Sequence, residues 1–231
     1  MPDFDWSLLL TGPYHDMLMA GMVLSLQLLA ISFVGALVLG IVIALARLSI
    51  WPALRWLAAS YIEVFRNIPL LAHMLFWYFG APELLPQSWK LKLYAGNIEA
   101  TSAVVALSLY FAAYMAEDIR SGIRAVKTVQ AEASRALGFS YLQTMRLVVL
   151  PQALRITIPP LLSQTLNLWK GTSIATVIGV AELMYQAGQI ESATFRSAEA
   201  FAFASVVYLS ISLLLTGIAT LYQRIYPARA L

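Results

Sequence analysis

The stretch MLMAGMVLSLQLLAISFVGALVLGIVIALA, residues 17–46, carries no charged side chain. Its length of about 30 residues exceeds the roughly 20 that an α-helix needs to cross the hydrocarbon core of a bilayer. The whole chain shares this character, because 60% of its residues are hydrophobic and only 12% are charged. An average soluble domain has about 25% charged residues. The sequence therefore predicts an all-α integral membrane protein.

Four more apolar stretches follow the first one along the chain. Together they predict a single transmembrane domain, 1–231, with five spans at about 17–46, 53–82, 100–118, 152–178 and 200–223. The second stretch is interrupted by Glu63, Arg66, Asn67 and Pro69. The acidic residues Asp3 and Asp5 differ from the basic region of a signal peptide, so we expect the first span to remain in the mature protein.

The basic residues are distributed unequally between the two sides of the predicted spans. With the N-terminus outside, the inner side holds Arg47, Arg55, Arg120, Arg124, Lys127, Arg135, Arg146, Arg155, Arg224 and Arg229. The outer side then holds Lys90, Lys92 and Arg196. Because cytoplasmic loops carry an excess of Lys and Arg, this distribution predicts an N-out, C-in orientation.

The longest predicted inner connection, 119–151, has the composition of helices rather than of a linker. Alanine and leucine at 131–137 favour a helix, and Gly138 suits the left-handed conformation that ends one. Ser140 and Gln143 have the spacing of a capping box that opens a second helix, and Pro151 suits the first turn of the next span. The pattern predicts an ordered helical element on the inner surface.

The composition excludes several kinds of site. The chain has no cysteine and two histidines, His15 and His73, which are far apart in sequence. We therefore expect no metal site, no catalytic thiol and no cofactor bound by this chain. The net charge of +3 gives no indication of a nucleic acid partner. No H-E-x-x-H or G-x-S-x-G motif is present, and we expect no catalytic residues.

Two pieces of the inner loop have the spacing of a known family motif. The run EASRALG occupies 132–138, and after nine intervening residues VVLP occupies 148–151. This resembles the EAA signature of ABC importer permeases, in which EAA, three residues and Gly precede Ile-x-Leu-Pro at the same distance. Ser134 stands in place of the third small residue, and Val148 stands in place of isoleucine.

Three further stretches resemble the polar amino acid branch of these permeases, which includes histidine, glutamine, arginine and glutamate importers. They are EVFRNIPLL at 63–71, FWYFGAPELLP at 76–86 and PLLSQTLNLWKGTS at 160–173. The second of them is most similar to permeases of glutamate/aspartate importers. The resemblance covers nearly the whole chain and implies the fold of a type I ABC importer permease with a cytoplasmic coupling-helix loop.

The resemblance also implies partners. The chain lacks a G-x-x-x-x-G-K-[ST] phosphate loop, so we expect a separate cytoplasmic ATPase dimer to bind ATP and Mg²⁺. A second permease chain, homologous or identical, is expected to complete the path. A periplasmic or extracellular binding protein is expected to deliver the amino acid, which by this resemblance is glutamate or aspartate. The implied location is the inner (cytoplasmic) membrane of a bacterial cell, where this chain is a multi-pass, non-catalytic subunit.

The resemblance assigns the helix at about 130–137 to the coupling helix that docks on the ATPase. The residues implied for this role are Glu132, Ala133, Ser134, Gly138, Leu150 and Pro151. Small side chains at 133 and 134 permit close approach, and the glycine permits a sharp turn. We expect charge pairing or helix capping to hold Glu132 in place.

Polar residues and helix breakers inside the spans, together with Glu182 just after the fourth, are the candidates for the substrate path, because polar groups are costly in hydrocarbon. They are Glu63, Arg66, Asn67, Pro69, Asn167, Lys170, Thr172, Ser173 and Glu182. Glu63 and Arg66 are spaced to pair on one helix face, or Arg66 reaches an interface. Residues 169–173 predict the end of one half-helix and the cap of the next, and Lys170 suits an acidic substrate. For Glu182 three roles stay open: a gate, a partner of Lys170 or an interface residue.

Two other functional classes fit the sequence less well. An intramembrane enzyme needs a nucleophile with a base, or a carboxylate pair, within the membrane. A stand-alone secondary carrier or channel is the main alternative. The two halves of this chain show no inverted repeat of the kind found in many carriers. Dependence on ATP rather than on an ion gradient distinguishes the importer from a carrier.

Overall fold

The computed structural model describes residues 7–126 and 128–227, and every regular element in those ranges is helical. Asp3, Asp5, Lys127 and Arg229, which entered the sequence predictions, lie outside the described residues. The α-helices are α1 (Ser7–Leu10), α2 (Pro13–Leu48), α3 (Pro52–Asn67), α4 (Leu70–Leu75), α5 (Gln87–Tyr94), α6 (Ile98–Ala125), α7 (Thr128–Ala136), α8 (Tyr141–Thr144), α9 (Leu150–Gly171), α10 (Leu183–Thr194) and α11 (Ser197–Ile225). Two π-helical turns, Phe76–Gly80 and Met145–Val149, and two 3₁₀ segments, Ala81–Leu84 and Thr172–Ile178, complete the set.

Four helical stretches in the described ranges are long and apolar enough to cross a membrane. They are Pro13–Leu48, Ile98–Ala125, Tyr141–Ile178 and Ser197–Ile225, and they overlap four of the five predicted spans. The remaining prediction, 53–82, falls on a stretch that is divided into shorter helices. Ile68, which precedes Pro69, has extended backbone angles (φ −102°, ψ 131°), as a residue before proline usually does. That 53–82 crosses the membrane stays a prediction.

The predicted inner loop, 119–151, differs from its prediction at both ends. α6 continues to Ala125, beyond the predicted end of the third span at residue 118. The second loop helix is not separate from the next span, because the chain from Tyr141 continues through the π turn Met145–Val149 into α9. Pro151 is the second residue of α9, in the first turn as predicted, although the helical backbone enters α9 without a break from the π turn. Because proline has no N–H, it cannot donate a hydrogen bond to the carbonyl four residues earlier. The π turn Met145–Val149 lies at that position and accommodates the missing hydrogen bond.

The largest apolar cluster joins α2, α4, α6 and the end of α9. Its members Leu28, Leu107 and Leu168, one from each of the three long helices, are almost completely buried. In lipid, such packing stabilises the fold by van der Waals contact between helices rather than by removing apolar surface from water. The cluster holds the start of α4 and the end of α9 beside α6, which positions the site described below.

A second apolar cluster joins α2, α10 and α11 through residues such as Leu18, Leu183 and Ala204. The chain reaches this cluster by turning at Gly179, whose φ of 86° is left-handed and favours glycine. α9 ends at Gly171, within the predicted 169–173, but no side chain there caps a following helix. The chain passes directly into the 3₁₀ segment, and the next α-helix begins only after the turn at Gly179.

Candidate functional site

A cavity of about 370 Å³ lies beside α6, between the start of α4 and the end of α9. It is lined by Leu70, Tyr110, Phe111, Tyr114, Gln164, Asn167, Lys170, Gly171, Ser173 and Ile174. Gln164, Asn167 and Lys170 follow one another at steps of three and so share one face of α9. On α6, Tyr110 and Tyr114 are one helical turn apart, and their hydroxyl oxygens are 3.1 Å apart. Two helices thus contribute polar side chains to a lining that also contains Leu70, Phe111 and Ile174.

Three of the predicted path residues, Asn167, Lys170 and Ser173, line this cavity. The hydroxyl of Ser173 donates to the carbonyl oxygen of Lys170 at 2.7 Å, which fixes that hydroxyl against the helix end. Thr172 is not among the lining residues. It is buried, and its hydroxyl donates to the carbonyl oxygen of Trp169 at 2.8 Å. The predicted residues at the end of α9 therefore divide between the cavity wall and the protein interior.

Arg66 lies next to the cavity, behind one of its walls. Its guanidinium carbon is 5.0 Å from the centroid of the Tyr114 ring, and the Tyr114 hydroxyl donates to the Arg66 carbonyl oxygen at 3.5 Å. The negative face of an aromatic ring attracts a cation, which favours this position. Pro69 precedes α4, whose first residue, Leu70, lines the cavity. The broken end of α3 and the start of α4 therefore form one side of the site.

Glu63 and Arg66 do not form the ion pair that their spacing permits. The Asn67 side-chain amide donates to the Glu63 carboxylate at 3.1 Å and to the Glu63 carbonyl oxygen at 2.7 Å. All three side chains are exposed. Asn67 thus satisfies the polar groups at the end of α3, while Arg66 turns to the aromatic ring on α6.

Glu182 lies apart from the cavity and is not paired with Lys170. It precedes α10, and its carboxylate accepts a hydrogen bond from the backbone N–H of Tyr185 at 2.9 Å. It also accepts one from the Tyr208 hydroxyl of α11 at 2.8 Å. The prediction that Glu182 is an ion-pair partner of Lys170 is therefore wrong. The N-terminus of the helix after the break is capped by this side chain rather than open to a ligand.

Sequence reasoning missed three of the polar lining residues, Tyr110, Tyr114 and Gln164. The Gln164 amide donates to the carboxylate of Asp118 at 3.0 Å and so joins α9 to α6. The available signal was polar side chains recurring at helical steps within apolar stretches. Within residues 7–126 and 128–227, no group of three His, Cys, Asp or Glu side chains is placed to hold a metal ion.

In the inner loop, α7 carries the first three residues of the family motif. Glu132 and Ala133 are exposed, whereas Ser134 is buried. The Ser134 hydroxyl donates to the Thr144 hydroxyl oxygen at 3.0 Å, which links α7 to α8. The expected pairing or capping of Glu132 is not seen among the described residues, which give its carboxylate no hydrogen bond and no ion pair within 4 Å. Ser134 therefore has a structural role, the link between α7 and α8, whereas Glu132 faces outward.

The turn between α7 and α8 has the predicted geometry. Gly138 has a φ of 86°, in the left-handed region. The backbone N–H of Gln143 donates to the Ser140 hydroxyl at 3.3 Å, and the N–H of Ser140 donates to the Gln143 side chain at 2.8 Å. Both the glycine conformation and the capping box are confirmed.

Large apolar side chains surround this turn on the surface. Leu137 is 79% exposed, Tyr141 is 70% exposed and Leu142 is 76% exposed. Leu150 and Pro151 are also exposed. Clustered exposed apolar side chains mark sites of contact with another protein or with a membrane. The loop thus combines a rigid turn with a surface that suits a contact.

The sequence matches the family model described as "Binding-protein-dependent transport system inner membrane component" over residues 36–226. The probable glutamine ABC transporter permease protein GlnM of Bacillus subtilis (strain 168) is 36% identical, over 96% of this chain and 94% of that protein. The arginine transport system permease protein ArtQ of the same strain is 35% identical, over 93% and 94%. The glutamate/aspartate import permease protein GltK of Escherichia coli O157:H7 is 36% identical, over 92% and 94%.

Solved structures show the same architecture. A crystal structure of an amino acid ABC transporter with histidines contains a chain that superposes with a TM-score of 0.83 at 32% sequence identity, covering 96% of this chain and 99% of that one. A chain of the inward-facing MetNI methionine ABC transporter superposes with a TM-score of 0.77 at 19% identity, covering 94% and 99%, and shows the fold alone. This chain therefore belongs to the family of binding-protein-dependent transport system inner membrane components, the multi-pass, non-catalytic permease subunits of ABC importers whose ATPase is a separate chain.

Proposed function

We propose that this chain forms part of the path through which an ABC importer takes up a polar amino acid, and that the substrate is glutamate or aspartate. The observation that carries the proposal is the cavity at the end of α9, where Lys170 is the charged residue among the described lining residues. Relatives named for glutamine, arginine and glutamate/aspartate are about equally similar to this chain. The support for an acidic substrate therefore comes from the cavity.

The size and polarity of the cavity suit an amino acid. Small-molecule pockets usually enclose about 300–1,000 Å³, and this one encloses about 370 Å³. Lys170 supplies a positive charge on one wall, and Arg66 adds a second behind the Tyr114 ring. The Tyr114 hydroxyl and the Asn167 amide are neutral groups able to bind a carboxylate or an ammonium group. A substrate with two carboxylates and one ammonium group would thus meet complementary charge.

The substrate is tested by ATP-driven uptake in proteoliposomes that contain this chain, its ATPase and its second permease, with saturating binding protein. Labelled glutamate, aspartate, glutamine, histidine and arginine compete in the assay. We expect uptake to require ATP and binding protein, with glutamate or aspartate competing best. Best competition by another amino acid would reject the acidic substrate but keep the importer. Uptake driven by an ion gradient, with no ATPase present, would instead favour the carrier.

A charge-neutralising substitution tests the cavity itself. Lys170→Gln should lower the maximum rate of glutamate uptake about tenfold or more, because a hydrogen bond to a charged group contributes about 1.5–3 kcal/mol. Lys92→Gln, an exposed change on α5, is the matched control and should leave uptake unchanged. Equal uptake by both variants would remove Lys170 from the path.

The inner loop is the proposed contact with the ATPase. α7 and the turn after it would fit a groove of that subunit, with Glu132 and Ala133 facing it and Ser134 bracing α7 from behind. Gly138, Leu150 and Pro151 would hold the loop in shape. Glu132→Ala should reduce uptake and leave insertion of this chain in the membrane unchanged. Glu191→Ala, which removes a carboxylate from α10, is the control.

The arrangement of the complex follows from this assignment. We place the N-terminus outside and the loop between α6 and α9 in the cytoplasm of a bacterial cell, next to an ATPase dimer that binds ATP and Mg²⁺. A second permease chain, homologous or identical, would face this one across the path. An extracellular or periplasmic binding protein would deliver the substrate from the other side. The family description, an inner membrane component of binding-protein-dependent transport, supports this arrangement.

A further inference from the structure

A buried carboxylate outside the cavity joins three helices. The side chain of Glu182 is 0% exposed. Tyr208 of α11 donates to it at 2.8 Å, Ser25 of α2 donates at 3.2 Å, and the backbone N–H of Tyr185 in α10 donates at 2.9 Å. A buried charge is costly unless hydrogen bonds compensate it, so this carboxylate holds its three neighbours in one arrangement.

One of those neighbours leads to the cavity wall. The carbonyl oxygen of Tyr208 accepts a hydrogen bond from the indole N–H of Trp169 at 3.2 Å, and the two rings lie 4.8 Å apart. Trp169 is completely buried and directly precedes Lys170, which lines the cavity. Glu182 is thus connected to the cavity wall through two consecutive side-chain contacts.

On its other side, the Glu182 carboxylate packs closely against α2. The Ser25 hydroxyl oxygen accepts a hydrogen bond from the Leu183 backbone N–H at 3.1 Å while it donates to Glu182. One helical turn earlier, a Cβ at Gly21 would lie 3.0 Å from the Leu183 Cα and 3.1 Å from the Glu182 carbonyl carbon. Glycine at this position therefore permits the turn before α10 to approach α2 closely.

We infer that Glu182 is a positioning residue, which through Tyr208 and Trp169 fixes the orientation of the end of α9 and so the direction in which Lys170 and Ser173 face the cavity. The Glu182 side chain does not line the cavity, and the proposed role requires no contact with the substrate. The inference rests on the proposed function only in identifying the cavity as the substrate path. It adds that a residue remote from the cavity sets the shape of the wall.

Thiol labelling measures the orientation of the wall independently of transport. The chain contains no cysteine, so Ser173→Cys introduces a single reporter on the wall. Its rate of reaction with a maleimide is measured in the detergent-solubilised complex, with and without Glu182→Ala. We expect the rate to change about tenfold, the effect of about 1.4 kcal/mol on an equilibrium between wall arrangements. Glu182→Gln retains the size and one acceptor oxygen and should restore most of the original rate.

Two controls separate positioning from general disruption. Glu191→Ala removes a carboxylate from α10, the helix that Glu182 caps, and should leave the rate at residue 173 within about twofold. A second reporter, Ser88→Cys on the exposed α5, should react at the same rate in every background. Where Glu182→Ala yields no assembled complex, Tyr208→Phe keeps the ring beside Trp169 and removes one donor, and should change the rate about fivefold. The inference would be overturned if the labelling rate at residue 173 were unchanged in the assembled Glu182→Ala complex. If Glu182→Ala does not assemble, an unchanged labelling rate in Tyr208→Phe would overturn it instead.

Transport is measured separately, in chains without the reporter. We expect Glu182→Ala to lower glutamate uptake per ATP hydrolysed about tenfold while basal ATP hydrolysis persists. A changed labelling rate with unchanged uptake would leave the positioning role in place and count against the cavity as the substrate path.

Discussion

Gly138→Ala perturbs the inner loop, the proposed contact with the ATPase, through its backbone alone. The residue has a φ of 86°, and a Cβ built on it meets no atom within 4 Å. The added methyl group therefore has room, and its cost comes from the left-handed conformation, about 1–2 kcal/mol for a residue with a side chain. The undocked loop could relieve that strain by opening the turn between α7 and α8. The docked loop could not, so the full cost should appear in the affinity of the ATPase for this chain.

A cost of about 1–2 kcal/mol makes the affinity of the ATPase for this chain about 5–30-fold weaker. Titration of the ATPase into this chain reconstituted with its second permease in nanodiscs measures the dissociation constant directly, and uptake measures the consequence. Gly138→Asn should show a smaller loss, because asparagine tolerates the left-handed region better than alanine does. Affinities that fall in the order glycine, asparagine, alanine would show that the backbone conformation is responsible, and not a general intolerance of substitution in the loop.

Gly188→Ala is the matched control. This glycine lies within α10, and a Cβ there also meets nothing within 4 Å, but no left-handed φ is required. Alanine should therefore stabilise the helix by about 0.8–1 kcal/mol and leave ATPase binding unchanged. Equal affinity for Gly138→Ala and the unsubstituted chain would refute the reasoning, since the strain would then have no effect on docking.

Three further outcomes are expected. Ser134→Ala leaves the buried Thr144 hydroxyl without its donor, so the amides of α7 and α8 should exchange with solvent about fivefold faster, the effect of about 1 kcal/mol. This should occur although alanine is the usual residue of the family motif. A membrane-impermeant maleimide applied to whole cells should label Ser88→Cys but not Thr128→Cys, and the reverse pattern would contradict the N-out orientation. Arg66→Gln should lower glutamate uptake about threefold, less than Lys170→Gln, because Arg66 acts from behind an aromatic ring; an equal or larger loss would contradict that placement.

The features that the sequence predicted well depend on local chemistry. A long apolar stretch becomes α2, Gly138 takes the φ that glycine favours, and the capping box after it forms both of its bonds. Proline was harder to interpret. Pro69 accompanies a break, whereas α9 continues through Pro159 and Pro160, because helix continuity in a membrane depends on the surrounding protein as well as on the proline.

The cavity could be predicted only in part, because its two walls are far apart in sequence. Lys170 and Asn167 stood out as polar residues in an apolar stretch, but tyrosines in α6 look like ordinary membrane residues until the packing of α6 against α9 is known. The bond between Gln164 and Asp118 joins residues 46 positions apart. The periodicity of each helix indicates its polar residues but does not show which residues of the two helices meet.

Lys170 and Glu182 show why a charge within the membrane cannot be assigned from its residue type. Both are single charges in apolar surroundings, and both were candidates for the same path. Lys170 is exposed to the cavity, whereas Glu182 is enclosed by donors from α2, α10 and α11. The first charge faces the cavity and so remains available to a ligand there. The second accepts hydrogen bonds from the protein on both of its oxygens, which is why we propose that it acts through the neighbours that it orders.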